Sequence, residues 1–373
     1  MYGPKMHVIV VGGTWDTKGG KPSSVIRELY KGIHHSRENT TAELYNGGDY
    51  KDILRIITEC LIDADAIVWA VNIPNELPKI RDIKKLFPKK LLVTTKNTID
   101  RKTTIQDIIS HGLSLKSNLM IPITSHKGCY FGKIICPLGN MWFGNTHDFR
   151  QLGREVAGQL RRLIKVTRKP TIQYDDVATK FPINKENKEF LSHIMSCAVT
   201  FQSLIHPAAQ VARFLGNSSF RCEKGFPSIR TNEQIFVSKR NVDKHFINRE
   251  AFVHVWLNSN KDVCYDGENK PSVDTPIQLR LYEKLHDINC MVHGHVYVLN
   301  APYTRNMVPC GGIEEVDEVM RVVADNDLYH NKGFAVNLKG HGCIVFGSHT
   351  EKLKRFAYTA RMVPEKMGWN YRG

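Results

Sequence analysis

The first half of the chain alternates short, uninterrupted apolar runs with amphipathic stretches. Met6 to Val11 is one such run, closed by Gly12-Gly13-Thr14, and Val25-Ile26-Arg27-Glu28-Leu29-Tyr30 then places apolar residues at helical spacing. The pattern repeats along this half. A helix is expected over Ile53 to Ile62, a strand over Ala66 to Val71, another helix before Leu91, and a strand over Leu91 to Thr95. Strands apolar at every position are buried on both faces, as when helices cover a parallel sheet. This half therefore predicts a Rossmann-like parallel α/β domain.

Beyond a charged, proline-containing stretch from Arg161 to Lys180 the pattern changes. Phe190 to Leu215 reads as a long helix, and Gln234 to Val237 and Phe252 to Trp256 read as strands of an antiparallel sheet. A chain of 373 residues exceeds a comfortable single core. Two domains are expected, over residues 1–168 and 181–373, joined by the charged stretch.

Candidate chemistry concentrates in the last quarter. His293 and His295 lie in MVHGHVYV and His341 in LKGHGCIVFG, segments that otherwise read as apolar strands. Side chains two apart on a strand share a face, so His293 and His295 can grip one ion while His341 arrives from elsewhere. Three neutral imidazoles leave a fourth position open, as in catalytic rather than structural zinc sites. The competing reading makes them ordinary strand histidines, as most of the sixteen in the chain must be. An unpartnered imidazole in apolar surroundings is unfavourable, glycine between the first two permits close approach, and Asp274 precedes them in the polar KPSVDTP segment. These features favour a metal. Asp274 is then an acid/base beside the ion, or it is the N-cap of the helix predicted by TPIQLRLYEKL.

These residues stand within a longer series. Gly216-Asn217-Ser218-Ser219-Phe220-Arg221 is followed by Val237-Ser238-Lys239-Arg240, by Lys270 to Pro276 with Leu279 and Leu281-Tyr282, and then by the two histidine segments. In this order of motifs the chain, from about Asn184 to its C-terminus, resembles the class II aldolase/adducin family. The resemblance implies a three-layer α/β/α domain on a mainly antiparallel sheet. It implies a divalent metal, zinc or another transition ion, that binds oxygens of a ketose phosphate and stabilises the enediolate left when a carbon–carbon bond breaks. It assigns His293, His295 and His341 to the metal and Asp274 to proton transfer.

Substrate contacts implied by the resemblance are Asn217, Ser272, Lys239 and Arg240, with arginine suited to bidentate phosphate contact. Lys239 and Arg240 also fit plain solvated charges at a strand end. The aspartate at 274, Thr275-Pro276 behind it and Pro309-Cys310 later are nearer to the L-ribulose-5-phosphate 4-epimerase branch, and Tyr371 stands where that branch carries a catalytic tyrosine. Gln278 and Val273 depart from the family's helix histidine and phosphate-holding serine. The implied activity is retro-aldol cleavage of a small phosphorylated sugar by a lyase. The alternatives are a 4-epimerase of the same family and a non-catalytic, adducin-like binding module. Relatives assemble as tetramers, so a homo-oligomer is expected.

Charge and composition bound the rest. A formal net charge of +15 is compatible with phosphorylated sugars, nucleotides or nucleic acid, but the basic patches at Lys79 to Lys90 and Arg161 to Lys169 lack interleaved aromatics, so nucleic acid is not indicated. No run approaches the roughly 18 apolar residues of a membrane span, and the start of the chain lacks the marks of a signal peptide. A cytoplasmic setting is expected. Nine cysteines without a CxxC pair fit free thiols. In the first half, Gly12, Gly13, Thr14, Gly19, Gly20, Ser23 and Ser24 form a glycine-rich turn into a helix, with Lys18 and Lys21 adding charge. Such a turn suits a nucleotide or phosphate, and equally suits a well-capped strand-turn-helix with no ligand.

Overall fold

The all-apolar run at the start of the chain becomes the centre of a parallel sheet because both of its faces find helices to cover them. The computed structural model describes residues 5–36, 39–72, 90–97, 105–137, 141–167, 171–174, 179–205, 216–222 and 234–360. The chain divides into two compact units after Lys165.

The first unit carries strands β1 (Met6–Asp16), β2 (Thr40–Asp49), β3 (Ala66–Asn72), β4 (Leu91–Asn97), β5 (Leu119–His126), β6 (Cys129–Ile135) and β7 (Met141–Thr146). They form a 7-stranded sheet in the order β2-β1-β3-β4-β5-β6-β7, parallel from β2 to β5 and antiparallel thereafter. Successive β1 side chains go to opposite layers. Val8 and Val10 pack with Ile26, Leu29 and Ile33 of helix α1 (Ser24–His34) and with Leu152, Val156 and Leu160 of a later helix (Phe149–Thr167). Ile9 and Val11 pack on the other face with Trp15, Ile53, Ile56 and Trp69. Each such side chain, fully buried, contributes about 1.5–3 kcal/mol of transfer free energy, so the alternation fixes which face each helix covers.

The strand order 2-1-3-4-5 is the flavodoxin-like version of the doubly wound fold, with its switch point between β1 and β3. The helix expected over Ile53 to Ile62 differs in detail: helix α2 (Tyr50–Arg55) starts earlier and widens into a π turn over Ile56–Cys60. Burial of both Ile56 and Ile57 accompanies the wider turn. The helix expected before Leu91 lies outside the described residues.

The second unit is built on an 8-stranded sheet. Its strands are β8 (Thr171–Tyr174), β9 (Asn217–Arg221), β10 (Gln234–Ser238), β11 (Phe252–Leu257), β12 (Val263–Asp266), β13 (Cys290–Gly294), β15 (Gly333–Leu338) and β16 (Gly342–Gly347), while β14 (Tyr297–Val298) pairs with β17 (Tyr358–Thr359) apart from it. The order is β15-β16-β13-β9-β10-β11-β12-β8, antiparallel except between β12 and β8. Apolar side chains leave both faces. One layer joins Ile235, Val255, Met291 and Ile344 to Ile277 and Leu281 of one helix (Thr275–Lys284) and Val319 and Val323 of another (Glu315–Asp325). The opposite layer joins Phe220, Phe236, Val292 and Val345 to Phe190, Ile194 and Phe201 of a helix over Lys185–Ile205. This is a three-layer α/β/α arrangement with a mainly antiparallel sheet.

The long helix is described over Lys185–Ile205, and the remainder of the stretch to Leu215 lies outside the described residues. Two expectations change here. The strand expected through both His293 and His295 stops at Gly294. A Cβ on Gly294 would lie 2.4 Å from the Phe201 ring, so the backbone runs against that ring with room for glycine alone before bending. His341 sits in the turn that joins β15 to β16 rather than on a strand.

Candidate metal centre

The hairpin of β15 and β16 brings the three histidines together. β13 pairs antiparallel with β16, His293 opposite Ile344, which sets the turn carrying His341 beside the bend carrying His295. Gly342 makes the approach possible: a Cβ there would fall 2.0 Å from the Gly294 carbonyl oxygen. The three ring centroids form a nearly equilateral triangle with sides of 4.9, 4.8 and 5.1 Å. One ligand nitrogen from each ring lies within 4.8 Å of the others, and all three residues are buried. Tetrahedral zinc with Zn–N near 2.0–2.1 Å needs nitrogens about 3.4 Å apart, so a small inward rotation of the rings completes the set.

Neighbouring groups fix the tautomers. His293 Nδ1 lies 2.9 Å from the Cys343 carbonyl oxygen, which can only accept, so Nδ1 carries the proton and Nε2 keeps its lone pair. His293 Nε2 is buried without a hydrogen-bond partner among the described residues. His341 Nδ1 lies 3.0 Å from Oε2 of Glu315, a carboxylate–histidine pair of the kind that orients metal ligands. Burial, reinforced by the neighbouring His341, lowers the His293 pKa to about 4, while Asp274 and the Cys343 carbonyl pull in the opposite direction. The ring is therefore neutral at neutral pH, as a ligand must be. Burial likewise raises the pKa of the Glu315 carboxyl, against the opposing pull of His341.

Asp274 stands beside this group. Its Oδ2 is 3.9 Å from His293 Nε2 and accepts from Asn217 Nδ2 at 2.7 Å, and its Oδ1 receives the Cys310 thiol at 3.4 Å. Although Asp274 occupies the N-cap position of the helix Thr275–Lys284, its side chain makes no capping bond. Its carboxylate thus makes no bond to the helix amides, so the capping role that the sequence also allowed is not taken by this side chain. Asn217 lies opposite His293 across the β9–β13 ladder, and its Oδ1 accepts from Gln278 Nε2. Gln278 therefore holds Asn217, and Asn217 in turn holds Asp274.

The remaining sequence candidates are distributed more widely. Ser272 is half-buried, and its carbonyl accepts from the amide and hydroxyl of Thr275. The amide of Lys239 is bonded to the Ala251 carbonyl and that of Arg240 to the Lys270 carbonyl, so this loop runs alongside the Lys270–Asp274 segment. Arg240 itself is exposed. Tyr371 lies outside the described residues.

In the first unit, Gly12, Gly13 and Thr14 lie within the last part of β1, Gly19, Gly20 and Ser23 in the turn that follows it, and Ser24 at the first position of α1. Three of their amides are engaged internally: Thr14 with the Lys21 carbonyl at 2.9 Å, Gly20 with the Gly48 carbonyl at 2.7 Å, and Ser23 with Asn46 Oδ1 at 3.1 Å. The Ser23 hydroxyl caps α1 by accepting from the Ile26 amide.

Sequence reasoning missed Glu315 and Lys244, and it named Cys310 without its contact to Asp274. Glu315 sits in the first turn of a helix, where a carboxylate is favoured by the helix dipole alone, so nothing local marks it as a histidine partner. Lys244 is 9 % exposed in a short 3-10 turn (Lys244–Phe246), where the charged sequence DKHF reads as surface. Burial brings its pKa down to about 8, opposed by the charges of Asp243 and Asp274.

Residues 199–363 match the family model described as Class II Aldolase and Adducin N-terminal domain, and the C-terminal half of the chain carries a domain of that family. No curated protein matches the chain. Among solved structures, a DNA/pantothenate metabolism flavoprotein from Streptococcus pneumoniae is 12% identical, with a TM-score of 0.33, covering 43% of this chain and 99% of its own. The N-terminal class II aldolase domain of a conserved Thermoplasma acidophilum protein is 14% identical, with a TM-score of 0.30, covering 48% of this chain and 92% of its own. A putative aldolase/epimerase/decarboxylase from Escherichia coli is 13% identical, with a TM-score of 0.27, covering 44% and 83%.

Proposed function

We propose that the second unit is a metal-dependent, aldolase-type lyase that cleaves a carbon–carbon bond in a small phosphorylated sugar. The observation that carries the reading is the convergence of His293, His295 and His341, all buried, with the Asp274 carboxylate 3.9 Å from one of them. A satisfied structural histidine has no need of two others aimed at the same point. The donor set fits zinc or another divalent transition ion, which when bound would draw charge from the oxygens of a substrate.

The chain's own groups do the rest. Asn217 and the Cys310 thiol hold the Asp274 carboxylate in place, and Asp274 carries the proton to or from the carbon that gains or loses the electron pair. Glu315 holds the His341 ring. Burial of the three histidines would limit water at the carbon where charge develops. Ser272, Lys239 and Arg240 are proposed as contacts to the sugar's anionic group, and Tyr371 as a proton donor. For the first unit we propose a nucleotide or other phosphate-bearing ligand at the ends of β1 and β3, where Thr14 and Asn72 are in register and Gly12, Gly13, Gly19, Gly20 and Ser24 lie close in sequence.

A screen of pentulose and hexulose phosphates with the metal-loaded chain tests the lyase reading. Release of an aldehyde and a shorter ketose phosphate, lost when the metal is chelated and restored when it is returned, is the expected result. Inversion at one carbon without cleavage would instead assign the site to an epimerase, and metal binding without turnover on any of these sugars would favour a binding module.

A further inference from the structure

The loop after β10 places one cation where the proposed reaction would use it. Its path is fixed by the Lys239 amide bond to the Ala251 carbonyl and the Arg240 amide bond to the Lys270 carbonyl, so it lies along the segment that ends in Asp274. Asn241 turns the chain with φ of 59°, and Asp243 closes the next turn by accepting from the His245 amide. The helix Lys185–Ile205 packs against that turn. Lys244 is thereby enclosed at 9 % exposure, although its neighbours in sequence, Asp243, His245 and Phe246, are more exposed and Phe246 is 81 % exposed.

Among the described residues the ammonium group's own hydrogen bonding is incomplete. An ammonium offers three donors, and among the described residues the one acceptor bonded to Lys244 Nζ is the Val242 carbonyl, at a long 3.3 Å. The two carboxylates whose charge it feels are committed elsewhere: Asp243 to the amide and ring of His245, Asp274 to Asn217 and Cys310. Lys244 also acts electrostatically on His293. The loop that carries Lys244 thus runs beside the segment that ends in Asp274, near enough for the ammonium to act on both Asp274 and His293. A buried cation with unfilled donors is unfavourable unless an anion meets it.

We infer that Lys244 is a substrate-contacting residue whose ammonium donates to the anionic oxygens of the group that the metal centre's substrate carries, a phosphate monoester or a carboxylate. The inference rests on the metal-centre reading and deepens it, because it makes the substrate an anion recognised by an enclosed ammonium, not by the exposed Arg240 alone. Compact and able to turn its donors, an ammonium suits a tetrahedral or planar oxyanion without requiring a fixed fork geometry.

The test uses the full chain loaded with zinc, with inorganic phosphate and acetate as separate probes followed by calorimetry, and with zinc content measured for every variant. Wild type should bind one zinc and at least one of the two anions, and the tighter anion assigns the source of the oxyanion. Lys244→Met should keep its zinc and weaken that anion by about tenfold or more, the scale expected for losing a hydrogen bond to a charged group, while Lys244→Arg recovers part of it. Should Lys244→Met fold poorly, protection of the wild-type Lys244 amine from acylation by the same anion serves as the readout. Equal anion binding by wild type and Lys244→Met, no protection, or no anion bound by a zinc-replete wild type would overturn the inference. A wild type that takes up no zinc would overturn the underlying reading, and this inference with it.

Discussion

Glu315 shows how a single side chain outside the three proposed ligands can hold one of them in place. Its carboxylate, 3 % exposed, lies 3.0 Å from His341 Nδ1 and thereby presents Nε2 to the other two rings. Removing such a partner typically reduces metal affinity by roughly 10–100-fold. Glu315→Gln keeps an acceptor oxygen and should lie near the low end of that range, whereas Glu315→Ala should lie near the high end. Competition for zinc against a chromophoric chelator gives the numbers, and equal affinity for all three proteins would exclude the role. At this scale the sequence was partly legible. The histidines and Asp274 announced themselves through apolar flanks and spacing. Glu315 and Lys244 did not, because an acid at a helix start and a lysine in a charged loop are ordinary on a surface, and only tertiary enclosure gives them a different meaning.

Between residue and molecule, the site depends on how closely two backbones approach. Gly294 lies against the Phe201 ring and Gly342 against the Gly294 carbonyl, so the end of β13 and the start of β16 meet where any side chain would separate them. Gly294→Ala should therefore lower the stability of the second unit by about 1–3 kcal/mol, the usual range for overpacking, and weaken its metal as the rings move apart. Urea unfolding followed by a probe in that unit measures the first effect. A shortened Phe201, in the pair Gly294→Ala with Phe201→Leu, should recover part of the loss, and a single variant as stable as wild type would argue against tight contact. The element patterns were legible wherever an apolar run met its full set of neighbours, as in β1, β3 and β13. The bend at His295 was not, since MVHGHVYV reads as one continuous strand and the Phe201 ring that lies against Gly294 comes from a distant helix.

For the whole molecule, two units with separate apolar layers account for the change of pattern along the sequence. The parallel order β2-β1-β3-β4-β5 follows from doubly buried runs, and the antiparallel sheet of the second unit follows from hairpin-connected strands. Both were legible as classes of fold. The long-range pairings that set β9 beside β13 and β8 beside β12 were not, because they depend on partners far away along the chain. Among the described residues no helix is long and apolar enough to cross a membrane. The nine cysteines are free thiols, in keeping with the absence of a paired spacing pattern.

The central claim is that three imidazoles share one ion. Elemental analysis of the full chain, prepared without chelator and compared with His293→Ala, tests it directly. One equivalent of zinc, iron, cobalt or manganese per chain in wild type, with less than a tenth of that in a folded His293→Ala variant, is the predicted result. Metal retained equally by both proteins, or absent from wild type even after incubation with zinc, would contradict it.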